Sequence, residues 1–395
     1  MVGETAEWEL RAARLLLLAI VPVLFVSTSL TVGIEIALYA LFALSTTLRT
    51  RLRSSMASPA AVALAIFSII LVLGALHGPA PWPERWGAVN GSRKLLLFFL
   101  GIAVFDDEKA KEVFLGSLLW LCAIAVCLSY VSQVVPITYE QLGGGIVLKD
   151  HAIQGLVFAT GVAVALWFKP SVWRAVLAAL LAINVAFVGT GRVGYLALAI
   201  VGAVLGVRRG GRWRWLALAC IAVLVSSPLV HDRVALGVNE MEHVEQSPTQ
   251  TSMGWRLVMW RNAVELIGEH AIFGVGTGSF ETAYRAQVRG QAGWKADPTN
   301  DPHNQYLKLW AEQGIVGLLA FGSFIVAVAF TENRFRDLNL SVLLAWCAAS
   351  LFASYFSRFV ESRFIFLLLG VLVASGSGTF ERRVETRRGN LGSSV

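Results

Sequence analysis

Apolar runs of membrane-crossing length alternate with short polar breaks along almost the whole chain. A transmembrane helix needs about 17–25 mostly apolar residues, and shorter runs cross with little tilt or in a thin bilayer. Twelve spans are predicted, near residues 15–31, 33–48, 58–76, 94–105, 113–135, 152–168, 175–190, 193–207, 215–230, 313–330, 340–356 and 364–379. The run 94–105 is short and is expected to begin earlier. The break Gly189-Thr190-Gly191-Arg192 reads as a tight turn or a kink. One long polar stretch, Val230 to Glu312, separates spans 9 and 10. The predicted fold class is an all-α integral membrane protein of about 12 transmembrane helices with one large, partly helical loop. Its segments are 1–230 (spans 1–9), 231–312 (the loop), 313–380 (spans 10–12) and 381–395, a short charged tail expected to be disordered.

Composition supports the membrane reading. The chain is 56% hydrophobic and only 15% charged, where soluble domains carry about 25% charged residues. Cys122, Cys127, Cys220 and Cys347 all fall in apolar runs, so no disulfide is expected. Glu4, Glu7 and Glu9 precede Arg11 and Arg14, which does not read as a cleaved signal. Arginine and lysine cluster in alternate short breaks, among them Arg49, Arg51 and Arg53, then Arg208, Arg209, Arg212 and Arg214, then Arg334 and Arg336. By the positive-inside rule both termini are cytoplasmic and the long loop faces the far side. The net charge of +7 is then a topological bias, not a nucleic-acid footprint.

On the outer face so defined lie His77 to Trp86, a loop stiffened by three prolines; Pro136 to His151, with Gly143-Gly144-Gly145, Lys149, Asp150 and His151; Arg192; the long loop; and Arg358, Glu361 and Arg363. Arg192 is either a snorkelling residue at a helix end or, with the backbone of Gly189-Thr190-Gly191, an anion site. Gly254 to His270 reads as an amphipathic helix, with Leu257, Trp260, Val264 and Ile267 on one stripe. Arg256 and Trp260 are i,i+4 neighbours on it. Arg261 reads as a solvated position, though a substrate contact is kept open for it. Gly274-Val275-Gly276-Thr277-Gly278-Ser279 reads as a flexible turn rather than a phosphate loop, since no strand precedes it. His303 precedes an apolar helix. Asn300 or Asp301 is expected to cap that helix, with Pro302 at its first position. A helix N-terminus depresses a histidine pKa, so His303 is expected to be neutral and able to act as a base. Glu312 is placed to orient His303, pair an arginine or mark the membrane boundary.

No metal-ligand cluster, serine nucleophile elbow, Walker loop or outward carboxylate pair is read from the chain. Arginines and one histidine beside a membrane suit a phosphorylated leaving group and an acceptor hydroxyl.

Arg256-x-x-x-Trp260, Gly274 to Phe280, His303-Asn304-x-x-Leu307, Glu312-x-Gly314 and Gly317-Leu318-Leu319 together resemble the O-antigen ligase and polymerase superfamily, and Gly189-Thr190-Gly191-Arg192 resembles its short arginine motif. The motifs cover roughly residues 186–320. The family's arginine is often preceded by serine, where this chain has Gly191. The resemblance implies an inner-membrane glycosyltransferase with a periplasmic active site. It would move a glycan from undecaprenyl pyrophosphate to a sugar hydroxyl of lipid A–core, acting as a monomer without cofactor, metal or nucleotide sugar. By position His303 would be the general base and Arg192 and Arg256 the pyrophosphate ligands. Arg261, Asn304, Lys149, His151 and Glu312 are further candidate substrate contacts. One base and no nucleophilic carboxylate favour a single inverting displacement. The single long loop favours a ligase over an O-antigen polymerase. A protein O-oligosaccharyltransferase stays open. A transporter or flippase is less favoured because few ionisable residues fall in span centres.

Overall fold

A computed structural model describes residues 2–135, 144–244 and 250–374. All regular structure among them is helical. The predicted tail 381–395 and part of the segment 136–151 lie outside the described residues.

Capping residues set several helix starts. Ser27 opens α2 (Thr28–Leu44) by accepting from Leu30 N, and Ser45 opens α3 (Thr46–Ser55) by accepting from Leu48 N. These two helices follow α1 (Val2–Val23) and meet at a 95° bend, so the predicted run 33–48 breaks at Ser45. Ser58 with Pro59 starts α4 (Pro59–Gly74), and proline suits a first helical position because its missing N–H has no partner there anyway.

Residues Trp82–Val104 form one continuous helical run: α5 (Trp82–Gly91), a 3-10 turn (Ser92–Leu95) and α6 (Leu96–Val104). The short span 94–105 does begin earlier, and half of the expected proline loop 77–86 is its first turn. Asp107 caps α7 (Glu108–Val131) and Asp150 caps α8 (His151–Trp167). Then come α9 (Val172–Phe187), α10 (Arg192–Arg209), α11 (Arg212–Val225) and α12 (Pro228–Glu242). The predicted run 215–230 stops at Val225 because Ser227 and Pro228 begin a new helix at 70° to the last.

The long polar stretch carries α12, α13 (Ser252–Glu269) and α14 (Phe280–Gln287). The expected helix over 254–270 matches α13, capped by Thr251. Three helices complete the chain: α15 (Gln305–Ala329), α16 (Arg336–Ala349) and α17 (Phe359–Val373).

Trp82–Val104, α7 and α15 are each long and apolar enough to cross a membrane. Counting each of the two bent pairs as one span raises the number to five, and α4, α8 and α9 are shorter apolar helices. α8 from Ile153 to Ala165 and α17 from Val360 to Val373 are buried on every side. That explains the long apolar runs within them, such as Phe364 to Val373: a helix apolar all round is enclosed by others.

One ion pair is sealed inside. The Arg363 guanidinium on α17 straddles the Glu35 carboxylate of α2, with Nε–Oε1 at 2.5 Å and Nη2–Oε2 at 3.2 Å, and Arg93 Nε stands 3.5 Å from Oε2. Glu35 is therefore interior, and Arg363 and Glu361 are buried rather than displayed on the outer face.

α15 is broken by Gly314, at φ 66 and ψ −170, a combination reached essentially by glycine alone. A Cβ there would lie 2.0 Å from Ile272 O. The break opens room for the glycine-rich turn 274–279. Val275 N donates to Ala311 O, Gly276 N to Glu312 O and Thr277 N to Gly74 O. The turn is a clamp between α4 and α15, not a flexible connection, and these amides are already spent on carbonyls. Gly314→Ala is expected to lower stability by at least the backbone strain, about 1–3 kcal/mol. Thermal unfolding of the detergent-solubilised variant checks this, and an unchanged midpoint would show that the break is not required.

Candidate active site

The segment between α14 and α15 bends sharply at His303. His303 has φ 52, and with Lys149 (φ 50) it forms the pair of non-glycine residues at positive φ among the described residues. Such backbone costs energy and persists only where its surroundings hold it. Asp301 supplies the hold, its Oδ1 accepting from His303 N at 2.9 Å and from the Ser354 hydroxyl at 2.6 Å. Burial opposes the Asp301 charge, but Lys308, the Ser354 hydroxyl and His303 outweigh it and keep the carboxyl below its usual range. Trp260 Nε1 donates to Pro302 O at 2.9 Å from the other side. The Arg256-x-x-x-Trp260 spacing thus has a physical meaning: one helical turn apart, Trp260 fixes the bend while Arg256 faces the same space.

The expected cap of α15 is corrected. Asn304, not Asn300 or Asp301, accepts from Tyr306 N and Leu307 N at 3.0 and 3.1 Å. Pro302 and His303 therefore precede the helix. Asn304 spends its carbonyl oxygen on this cap.

His303 lines two cavities. The smaller, about 270 Å³, is walled by Gln250, Thr251, Ser252, Trp255 and Arg256. The larger, about 680 Å³, has a polar end with Lys94, Lys308, Glu312 and Arg358, and an apolar wall that includes Phe67, Phe321 and Phe366. Lys94 was not singled out in the sequence. It sits some two hundred residues upstream of His303, and no local pattern marks it; its Nζ donates to Ser357 O.

Arg256 donates to Phe352 O at 3.2 Å and to Ser252 O and Oγ at 3.0 and 2.8 Å. Among the described residues it makes no carboxylate ion pair. Burial pushes its pKa below the ordinary arginine value, and Arg192 and Arg358 push the same way against Tyr355 and Glu240. A guanidinium so placed stays charged at neutral pH and is under-compensated, the condition in which an anion binds well.

The His303 pKa is also lowered. Burial is the largest cause, opposed by Asp301 and reinforced by Arg358, Arg256 and Lys308. The expected neutral imidazole follows, though from desolvation and neighbouring cations, since the ring stands ahead of the helix. Arg358 Nη2 lies 3.3 Å from His303 Nδ1.

The remaining candidates spread outward. Arg192 opens α10 and donates from Nε to Arg233 O at 2.8 Å, with its guanidinium against Gly237 of α12. It lines neither cavity, yet its charge reaches Arg256. Gly191 stands where a Cβ would meet His151 O at 2.8 Å, which accounts for glycine before this arginine. His151 is exposed at the start of α8, and Arg261 is exposed on α13. Lys149 is exposed and near enough to Glu361 for their charges to interact. The Glu312 side chain accepts from Gln313 Nε2 at 3.2 Å and borders the larger cavity beside His303.

A histidine between under-compensated cations, seated where apolar helices meet a helical polar segment, defines a helical protein with a site for an anionic group. Residues 175–322 match the family model described as O-antigen ligase, the family that the motifs resemble. That stretch contains Arg192, Arg256, His303 and Glu312. An O-antigen ligase of Salmonella typhimurium is 25% identical over 292 residues, 69% of this chain and 70% of that protein. An uncharacterized protein of Haemophilus influenzae is 28% identical over 166 residues, 39% of this chain and 42% of that protein. The chain thus spans less than half of the Haemophilus relative.

Proposed function

We propose that this protein is an O-antigen ligase, which transfers a polysaccharide from undecaprenyl pyrophosphate to a sugar hydroxyl of lipid A–core at the periplasmic face of the bacterial inner membrane. The observation that carries this reading is His303 shared by two cavities, with Arg256 in one and Arg358 and Lys308 in the other. Two substrates enter from two sides, and their reacting atoms meet at one base. About twelve spans, both termini in the cytoplasm and the 231–312 segment in the periplasm complete the arrangement.

His303 takes the proton of the acceptor hydroxyl as its oxygen bonds to the anomeric carbon. The C–O bond to pyrophosphate breaks, and the leaving group departs with the electron pair. Arg256, with Arg192 behind it, stabilises the charge that grows on the pyrophosphate. Preorganised donors do this best where water is excluded. Asp301, the carboxylate two residues before His303, is committed to the His303 amide and the Ser354 hydroxyl, and with one base acting the displacement is single and inverts the anomeric centre. Holding two lipid substrates at one membrane surface adds proximity.

Arg256→Lys keeps the charge but loses the planar fork. Transfer is expected to fall roughly tenfold to hundredfold, the worth of a charge-assisted hydrogen bond of about 1.5–3 kcal/mol. Initial rates against donor concentration check this, and rates equal to the wild type would remove Arg256 from the donor site.

A further inference from the structure

Arg358 stands outside the family-matched stretch, at the start of α17, and the transfer chemistry above gives it no task. Its contact with His303 assigns one. A guanidinium has donors only, so at 3.3 Å from Arg358 Nη2 the His303 Nδ1 is the accepting nitrogen. In a neutral imidazole the other nitrogen, Nε2, then carries the proton. The lone pair that would take a proton from an acceptor hydroxyl is the one Arg358 covers.

The cover is able to move. The Arg358 side chain is 33% exposed and its Nη1 is 3.9 Å from Glu361, at the outer limit of an ion pair. It makes no side-chain cap to α17, and it borders the larger cavity. A guanidinium prefers a phosphate oxygen pair, with two charge-assisted bonds, to one lone pair on a neutral ring.

We propose that Arg358 is a positioning residue that masks His303 Nδ1 until a pyrophosphate group draws the guanidinium away, so that the base is exposed only when donor is bound. This rests on His303 being the base. On arrival of the anion, Nδ1 is freed and accepts the acceptor hydroxyl's proton as the glycosidic bond forms and pyrophosphate leaves. Without donor the base stays covered. The charged groups facing His303 are Asp301 from the preceding segment, Arg256 from α13, Lys308 from α15 and Arg358 from α17.

The test is ¹⁵N-histidine NMR on the purified full-length protein in detergent, with the His303 signal identified by its loss in His303→Asn and inorganic pyrophosphate as the probe. In the wild type, neutral His303 is expected to carry its proton on Nε2, and its titration midpoint to rise on adding pyrophosphate. In Arg358→Gln the midpoint is expected to start about one pH unit higher, the share of the Nε2–H tautomer to fall, and pyrophosphate to move the midpoint less. Arg358→Lys, which keeps the charge, is expected to fall between. The same midpoint and tautomer in wild type and Arg358→Gln would overturn the proposal. If the NMR changes occur but neither protein transfers glycan to lipid A–core, the ligase reading fails while the masking contact stands.

Discussion

Removing the His303 imidazole is expected to lower glycan transfer by about 10²–10⁴-fold, the usual contribution of a positioned general base. His303→Asn is the cleaner variant. Asparagine tolerates the left-handed backbone that His303 adopts at φ 52, whereas alanine would add strain to the loss of the base. An unchanged unfolding midpoint beside the lost activity would separate chemistry from folding. The pH profile carries a second signature. The His303 pKa lies below the ordinary histidine value, first because of burial. The neutral base of the free enzyme therefore persists as pH falls through about 6.5, and the acid limb of the kcat/KM profile, which reports the free enzyme, is expected below that point. A limb at or above it would contradict the placement of His303 among cations in a desolvated bend.

The second large effect concerns folding. Glu35→Ala strands the Arg363 guanidinium in the interior, where both side chains are nearly fully enclosed. Breaking one partner of a buried pair costs about 3–5 kcal/mol, while replacing both with apolar residues is often neutral or stabilising. Glu35→Ala is thus expected to unfold at markedly lower temperature, and Glu35→Leu with Arg363→Leu to recover most of the loss. Arg93, 3.5 Å from Glu35, also loses that carboxylate in the double variant, but it is partly exposed and donates to Asn90 Oδ1, so its loss is smaller. An unfolding temperature for Glu35→Ala equal to the wild type would show that water or another partner reaches Arg363.

Local patterns in the sequence were enough to locate α8 and α13, because each is set by neighbours in the chain: Asp150 caps α8 and Thr251 caps α13. What depends on distant residues was not legible. Glu35 and Arg363 are 328 positions apart, so nothing local marks Glu35 as interior. Lys94 and Arg358 join the polar end of the larger cavity only because α17 packs against the turn that leads into α6. The glycine-rich turn looked loose because its partners, Gly74 and the carbonyls of Ala311 and Glu312, lie in other helices. The cap of α15 was misassigned for a subtler reason. Asn300, Asp301 and Asn304 are all competent caps, and Asp301 is instead committed to holding the His303 amide and the Ser354 hydroxyl.

The most direct test of the central claim is a reconstituted transfer assay. Purified wild type and His303→Asn would each receive undecaprenyl-pyrophosphate-linked glycan with and without lipid A–core. Glycan on lipid A–core with the wild type alone, at inverted anomeric configuration, is the predicted result. Longer chains still attached to the carrier would identify a polymerase, and equal transfer by both proteins would remove His303 from the chemistry.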